Sequence, residues 1–411
     1  MARRLDTFDA SLIGIGSMVG AGVFAAFTPA AQVAGSGLLI GLIVAAFVAF
    51  CNATSSAQLA AAYPASGGTY LYGRERLGPW AGFIAGWGFV IGKTASAAAM
   101  AMTFAAYVAP SGWERPLAMA AVIALAAVNY HGVTRTAALT RLLAIVVLIS
   151  LTVIIAAAWG LASPDSSKIL GDGIFAHGWY GILQSAGLLF FAFAGYARIA
   201  TMGEEVRDPR RTIPRAIGIA LTVAIIVYGV IAFTLLAVLG EEQIAATQAP
   251  LRALASATST SWAVPVIQVA AALAALGALL ALIAGLGRTT LAMAREHDLP
   301  HWLSAIHPKH KVPHRAELTL AAIICVVIGI ADVRGAIGFS SFGVLIYYLV
   351  ANLSAYTQIA GDRRYPKILQ VLGALACVAL VATLPPLSIA VGLGVFAIGI
   401  GLRAWRIRRS A

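Results

Sequence analysis

Two glycine-containing segments hold the residues of this sequence that could bind a ligand. The first, Gly14 to Phe24, reads GIGSMVGAGVF and lies inside a long apolar run. Glycine lets a helix unwind there. The freed amides, at the positive end of the next half-helix, suit a carboxylate, and the freed carbonyls suit an ammonium. We therefore predict that the substrate-binding residues here are Ile15, Gly16, Ser17, Met18, Gly20, Ala21 and Gly22. Close packing of small residues against a neighbouring helix remains an open alternative.

The second segment, Phe190 to Pro214, reads FFAFAGYARIATMGEEVRDPRRTIP and places Gly195 among aromatic residues. Its apolar side chains offer a pocket without an anionic partner. From this segment we predict binding contacts from Phe191, Phe193, Ala194 and Tyr196. Arg198 and Glu204 are predicted coupling or gating residues. We expect Arg198 to face water or to pair with Glu204 or Glu205, and we favour the pairing over contact with the substrate.

Lys93 stands inside the apolar run GWGFVIGKTASAA, many residues from either end of that run. A lysine at this depth is costly, which favours a functional role. The alternative is a side chain that extends its ammonium to water. We predict that Lys93 takes part in substrate binding and in coupling, either by titrating or as a fixed cation. Met100, two helical turns along, is a further predicted contact.

The elements that carry these residues are membrane helices. Hydrophobic residues make up 60% of the 411 and charged residues 11%, and the mean hydropathy is +0.89. Crossing a bilayer as a helix takes about 20 apolar residues. Twelve such spans are predicted, and no connection between them is long enough for a soluble domain. They are Asp9 to Val33, Ser36 to Leu59, Trp80 to Val108, Pro116 to Tyr130, Leu139 to Ala162, Tyr180 to Met202, Ile213 to Leu239, Trp262 to Arg288, Leu318 to Ile330, Ala336 to Tyr356, Ile368 to Ala382 and Leu387 to Leu402.

The net charge of +12 is explained by topology and does not indicate nucleic acid. With the N-terminus in the cytoplasm, 22 of the 28 Lys and Arg residues fall on the cytoplasmic side. This asymmetry predicts that both termini are cytoplasmic, in the cell membrane. We expect no removed signal peptide, because the first apolar run lacks a small-residue cleavage site. The three cysteines fall inside spans, and no metal site or cofactor is expected.

Glycine breaks in helices 1 and 6, the first helix of each five-helix half, are typical of inverted-repeat transporters. The prediction is one membrane domain, 1–411, in which the first repeat covers about 9–162 and the second about 180–356. Helices 11 and 12, about 368–402, are an addition to the two repeats.

Both segments resemble the amino acid-polyamine-organocation superfamily. The shared motifs are the helix 1 glycine run, the FFAFAGY element and the EEVRDPRRTIP tail. Two further motifs are YPASGG, at Tyr63 to Gly68, and RTTLAMAREHDLPHWLSAIHPKHKVPHRA, at Arg288 to Ala316. This resemblance implies a LeuT-like fold of five plus five helices with helices 1 and 6 unwound. It also implies that the carboxylate of the substrate meets helix 1, while its ammonium meets carbonyls of helices 1 and 6.

Three departures from the superfamily concern ion coupling. Ala197 stands where many relatives carry an acid, and Val147 stands where some carry a lysine. Trp262 to Gly287, helix 8, contains no Ser or Thr to ligate sodium. We therefore predict a sodium-independent secondary transporter of neutral or hydrophobic amino acids. It is proton-coupled or an exchanger, so protons are a candidate partner beside the amino acid and the lipid bilayer. Neither the direction of transport nor the oligomeric state follows from the sequence.

Other functions were weighed against this prediction. A cationic amino-acid or polyamine exchanger is opposed by Lys93 and Arg198, and an amino-acid exporter stays open. A membrane enzyme would need a motif such as H-E-x-x-H or a buried acid pair, and none is present. A major-facilitator carrier would not show this combination of motifs. None of the 16 acidic residues is predicted deep in a span, and the seven histidines are expected to be solvated in loops or at membrane edges.

Overall fold

In the computed structural model, residues 5–63, 67–132 and 137–410 are described, and they form helices joined by turns. The helices are α1 Thr7–Met18, α2 Ala21–Ala25, α3 Phe27–Ala34, α4 Leu38–Ala62, α5 Gly68–Leu77, α6 Pro79–Val108, α7 Glu114–Tyr130, α8 Ala137–Leu161, α9 Ser167–Leu170, α10 Gly178–Phe193, α11 Ala197–Ala200, α12 Pro209–Ala246, α13 Pro250–Ala257, α14 Ala263–Arg295, α15 His314–Ile330, α16 Val333–Tyr356, α17 Lys367–Thr383 and α18 Pro386–Ser410. The prediction of an all-α membrane protein is confirmed.

Nine helical segments of the described chain are long and apolar enough to cross a bilayer. The helices α7, α15 and α17 coincide with three further predicted spans and have 17 residues each. At a rise of 1.5 Å per residue, each is about 25 Å long, near the lower limit for crossing a hydrocarbon core. The remaining short helices, such as α5 and α13, join the long ones.

Several helices extend beyond the predicted spans. The largest difference is in α12, which continues past Leu239 to Ala246, with a kink at Gly240 where φ is 76°. The predicted connection after it also contains α13. An apolar run indicates only the part of a helix that lies in lipid. Helix lengths predicted from it are therefore too short wherever polar turns continue the helix beyond the membrane core.

Both predicted helix breaks are present. The first helix stops at Met18 and resumes at Ala21, with Gly20 at φ −59° and ψ −125°. In the second, α10 ends at Phe193, a 3-10 turn follows over Ala194–Tyr196, and α11 continues. Each break lies among buried residues, which satisfies the requirement that irregular backbone inside a membrane be shielded from lipid.

The long helices pack on partners that are distant in the sequence. Helix α1 packs on α12 and α10 packs on α4, while α6 packs on α16 and α14 packs on α8. The contact between α6 and α16 is especially close, because a Cβ added to Gly343 would lie 2.9 Å from the Cα of Gly92. Small residues at such crossings are what allow membrane helices to approach.

The two ends of the helix bundle differ. At one, here called the Leu5 end, the Leu5 amide donates to the Glu205 carbonyl at 3.2 Å, and the Arg207 amide donates to the Leu5 carbonyl at 3.0 Å. At the other, the Leu251 end, the Tyr107 hydroxyl donates to the Phe24 carbonyl at 3.0 Å and accepts from the Leu251 amide at 3.2 Å. These bonds close the bundle at the Leu251 end.

Candidate functional site

A cavity of about 360 Å³ lies between the two broken helices and helices α6, α8 and α14. Its wall extends from the breaks to the Leu5 end of the bundle, where Leu5, Glu205 and Arg288 belong to it. The residues from helix breaks and from α6 in this wall include Gly16, Ser17, Met18, Gly20, Gly22, Lys93, Ser96, Met100, Phe191, Ala194 and Gly195. Most of the candidate residues predicted from the sequence therefore lie around one cavity.

The two helix breaks touch each other. A Cβ added to Gly195 would lie 2.7 Å from the Met18 amide nitrogen, and one added to Gly22 would lie 2.6 Å from the Cα of Ala192. These separations are shorter than any ordinary contact, so both positions require glycine. The backbones of the two breaks form one continuous polar surface as a result.

Tyr228, on α12, binds the backbone at the junction of the two breaks. Its hydroxyl is shared between the Met18 carbonyl at 2.6 Å and the Ala192 carbonyl at 3.0 Å. The side chain is 1% exposed, and its ring packs on Phe193 at 4.9 Å between centroids. Tyr228 thus binds carbonyls of both breaks at once. Sequence reasoning missed it, although a single tyrosine within the apolar run Ile213 to Leu239 is a signal for a buried hydroxyl contact.

Lys93 points at the second break. Its Nζ donates to the Ala194 carbonyl at 3.2 Å, and its side chain is 7% exposed. The Tyr348 hydroxyl donates to the same oxygen at 3.5 Å. All 16 acidic residues lie in the described part of the chain, and no ion pair joins one of them to Lys93. The ammonium is therefore held at the wall of the cavity by a backbone carbonyl.

Three predicted contacts pack behind the cavity wall. Phe193 contacts Tyr228, Tyr196 packs on Tyr348 with ring centroids 5.1 Å apart, and Ile15 is 5% exposed in the core. The sequence could not distinguish these residues from those that line the cavity, because the two faces of a broken helix are equally apolar. The side chain of Ala21 lies outside what the structure describes.

Arg198 lines the cavity and pairs with Glu205, one of the two partners considered. The Arg198 guanidinium lies 3.3 Å from the Glu205 carboxylate, with Thr201 Oγ1 at 3.4 Å. Their side chains are 37% and 27% exposed, so water screens the pair. Glu204 is half-buried beside it.

The wall around the two breaks is apolar. Val147 and Ala197, which replace the coupling groups of relatives, both face the cavity, as do Ala274 and Ala278 on α14. No hydroxyl from Trp262 to Gly287 can ligate a cation there, since that range contains none. Within the described ranges, no group of three or more His, Cys, Asp or Glu side chains has metal-binding geometry.

At the Leu5 end, the cavity is bordered by Tyr70, whose hydroxyl donates to buried Asp298 at 2.8 Å. The same carboxylate accepts from Arg74 at 3.0 Å and from Arg403, on the last helix, at 2.7 Å. Asp298 is 4% exposed. Three donors offset the cost of burying this charge.

Asp298 and Glu317 are buried although neither lies deep in a predicted span. Glu317 is 3% exposed and lies in the first turn of α15, which begins four residues before the predicted span. A carboxylate at a helix start appears peripheral in a hydropathy profile, whereas packing of the neighbouring connection covers it.

Comparisons with known proteins agree with this architecture. The sequence matches the amino acid permease family over residues 5–401. An uncharacterized transporter of Mycobacterium tuberculosis is 55% identical over 409 residues, 100% of this chain and 92% of that protein. The branched-chain amino acid permease of Bacillus subtilis is 25% identical over 377 residues, 85% of this chain and 80% of its own. Cationic amino acid transporter 7 of Arabidopsis thaliana is 25% identical over 379 residues, 86% and 65% respectively.

The family consists of transport proteins, so the prediction that the chain is not an enzyme is confirmed. The matched residues include both helix breaks and the cavity, together with Asp298, Tyr70 and Arg74. The chain belongs to the amino acid permease family of the amino acid-polyamine-organocation superfamily, and it is a multi-pass membrane transporter.

Proposed function

We propose that this protein is a secondary transporter that moves neutral, hydrophobic amino acids by alternating access. The observation that carries the proposal is the junction of two broken helices on an apolar cavity. Broken helices near the bilayer midplane are the binding elements of inverted-repeat transporters. Twelve spans and two five-helix repeats are part of the proposal. The matching pairs α1 with α12 and α10 with α4, which exchange under such a repeat, support them.

The backbone of the substrate would be held by the two breaks. The amides of Gly20 to Gly22, at the start of the second half-helix, suit the α-carboxylate. The first break supplies carbonyls near Ser17 for the ammonium, and Ser17 lines the cavity. A zwitterionic backbone needs both partners at once, which the close contact at Gly195 provides.

The side chain of the substrate would lie against Met100, Phe191, Val147 and Ala278, which are in the cavity wall. These offer apolar contact and no carboxylate near Lys93. A positively charged side chain would meet the Lys93 ammonium instead of an anion, which disfavours cationic substrates. One relative is named a branched-chain amino acid permease and another, equally similar, a cationic amino acid transporter, so the proposal rests on the residues of the cavity wall.

Transport would be independent of sodium, with Lys93 as the internal cation that takes part in coupling or gating. The Lys93 ammonium donates to a carbonyl of the second break, so a movement of the break also moves the ammonium. With both termini in the cytoplasm, as the distribution of basic residues indicates, the cavity opens to the cytoplasm through the Leu5 end.

The test is uptake of radiolabelled leucine into proteoliposomes, with unlabelled amino acids as competitors. We expect leucine-like and aromatic amino acids to compete better than arginine and lysine. Replacing sodium by choline should change nothing. Arginine as the tightest competitor would overturn the substrate class, and a sodium requirement would reveal a cation site that the wall residues do not indicate.

A further inference from the structure

A cluster of histidines joins two connections at the Leu5 end. Tyr130 and His131 end α7, while His307, His310 and His314 lie between α14 and α15 or start α15. Ring centroids are 5.3 Å apart for His131 and His310, 4.7 Å for His310 and His307, and 5.4 Å for His307 and His314. Tyr130 lies 5.2 Å from His307. The rings thus form a continuous row. These four histidines lie in connections or at a helix end, as predicted, and their contact with one another is a feature that the sequence did not indicate.

The row begins at the surface and ends inside. His131 is exposed, and His307 and His310 are partly exposed. Burial, with the neighbouring His307, His131 and Lys309, lowers the pKa of His310 below its usual value. His307 Nδ1 accepts from the amides of Lys309 and His310, each at 3.2 Å. His314 Nδ1 is buried and has no hydrogen-bond partner among the described residues.

Glu317 follows His314 by one helical turn on α15, so the two share a face of that helix. Its Oε2 is buried without a hydrogen-bond partner in the described chain. The side chain fills the space beside Gly287 of α14, where an added Cβ would lie 2.7 Å from Glu317 Cγ. Thr290, one turn further along α14, also has a buried hydroxyl that lacks a partner in this part of the structure. His314, Glu317 and Thr290 thus each hold a buried polar atom that could bind a proton or another small polar partner.

Arg288 connects this site to the cavity. It follows Gly287, against which the Glu317 side chain packs, and it belongs to the cavity wall. No ion pair to Glu317 occurs among the described residues. A change of charge on Glu317 therefore acts on α14 directly beside the cavity wall.

We propose that Glu317 is the proton-binding site of this transporter, and that the row His131, His310, His307 and His314 is its path to water at the Leu5 end. The inference rests on the proposed transport function and assigns its coupling ion. A proton that enters with the substrate adds to the carboxylate, giving a neutral carboxylic acid, and it leaves along the imidazoles to bulk water at the Leu5 end. Arg288 then loses its anionic neighbour and becomes available to the cavity, while loss of the proton restores the attraction. Lys93 remains a fixed cation at the second break.

The charged groups around the site fit this assignment. Helix α14 contributes Arg288, and α15 contributes His314 and the exposed Arg315. The connection contributes Lys309 and Lys311, and α7 contributes His131. Every one of these neighbours is basic. The other carboxylates near the cavity, Glu205 and Asp298, are in ion pairs with arginines, whereas Glu317 is in none among the described residues.

The test uses Glu317→Gln, which keeps the side-chain shape and removes the titratable group, in the full-length protein in proteoliposomes. Two assays are run with radiolabelled leucine: counterflow at equal pH on both sides, and accumulation driven by an inward proton gradient. A trapped pH-sensitive dye reports proton entry. The matched control is Glu75→Gln, because Glu75 is an exposed carboxylate at the same end.

We expect native protein and Glu75→Gln to accumulate leucine up to about tenfold per pH unit, the limit for one proton per leucine. Glu317→Gln should keep counterflow and lose both accumulation and proton entry. His314→Phe should slow accumulation without abolishing counterflow. Gradient-driven accumulation by Glu317→Gln would overturn the assignment, as would native protein that performs counterflow without proton entry. Native protein without leucine counterflow would contradict the proposed function itself.

Discussion

Replacing Gly195 by alanine tests whether the contact between the two helix breaks forms the binding site. The added Cβ would lie 2.5 Å from the Ser17 carbonyl carbon and 2.7 Å from the Met18 amide nitrogen. Restoring an ordinary contact of 3.4 Å requires the breaks to separate by 3.4 less 2.5 Å, about 0.9 Å. Both neighbours are backbone atoms, so no side-chain rotation relieves the overlap. Overpacking of this kind costs about 1–3 kcal/mol.

That cost falls on the elements that would hold the substrate backbone, so we expect leucine to bind about 5- to 150-fold more weakly. Scintillation-proximity binding to purified protein measures the change, and a thermal melt reports folding. The control is Gly218→Ala on α12, since a Cβ there meets no atom within 4 Å. Leucine affinity of Gly195→Ala within twofold of native, at native stability, would refute the reasoning.

Three further substitutions probe the same site. Gly20→Val should abolish leucine binding in folded, inserted protein, because even a Cβ there lies 3.1 Å from the Gly16 carbonyl oxygen and 3.2 Å from Ala278 Cβ; normal affinity would sink the assignment. Lys93→Met keeps the stem and deletes the charge, so it should lose net transport or its pH dependence while some leucine binding survives; an unchanged rate and pH profile would show that the lysine has no coupling role. Tyr228→Phe leaves two carbonyls without a donor and should lower stability by about 1–3 kcal/mol, measured by thermal melting, with weaker leucine binding; a neutral effect would show that the hydroxyl does not position the breaks.

The sequence predicted the helix breaks well, because a cluster of glycines in an apolar run has few other uses inside a membrane. It also identified Lys93, whose charge contrasts with its surroundings. Most predicted contacts, such as Gly20 and Phe191, line the cavity. A glycine cluster or a lysine is unfavourable inside a membrane helix, so such residues can be recognised from their type and position in the sequence alone.

Contacts between distant parts of the chain were beyond prediction. Tyr228 meets Met18 across 210 positions, and Arg403 meets Asp298 across 105. The local composition of α12 and α18 does not indicate these partners. The histidine row was not predicted for the same reason, since His131 and His310 come into contact only when two connections fold together.

The buried contact between Arg403 and Asp298 has a consequence for biogenesis. Arg403 is 6% exposed and lies eight residues before the last one. During synthesis, earlier segments fold first, so Asp298, Tyr70 and Arg74 are inserted well before their partner leaves the ribosome. Until then the Asp298 carboxylate has only the donors from α5. The border of the cavity at the Leu5 end is therefore completed only when α18 has been inserted, and chains that terminate before residue 403 are expected to reach quality control with this charge incompletely paired.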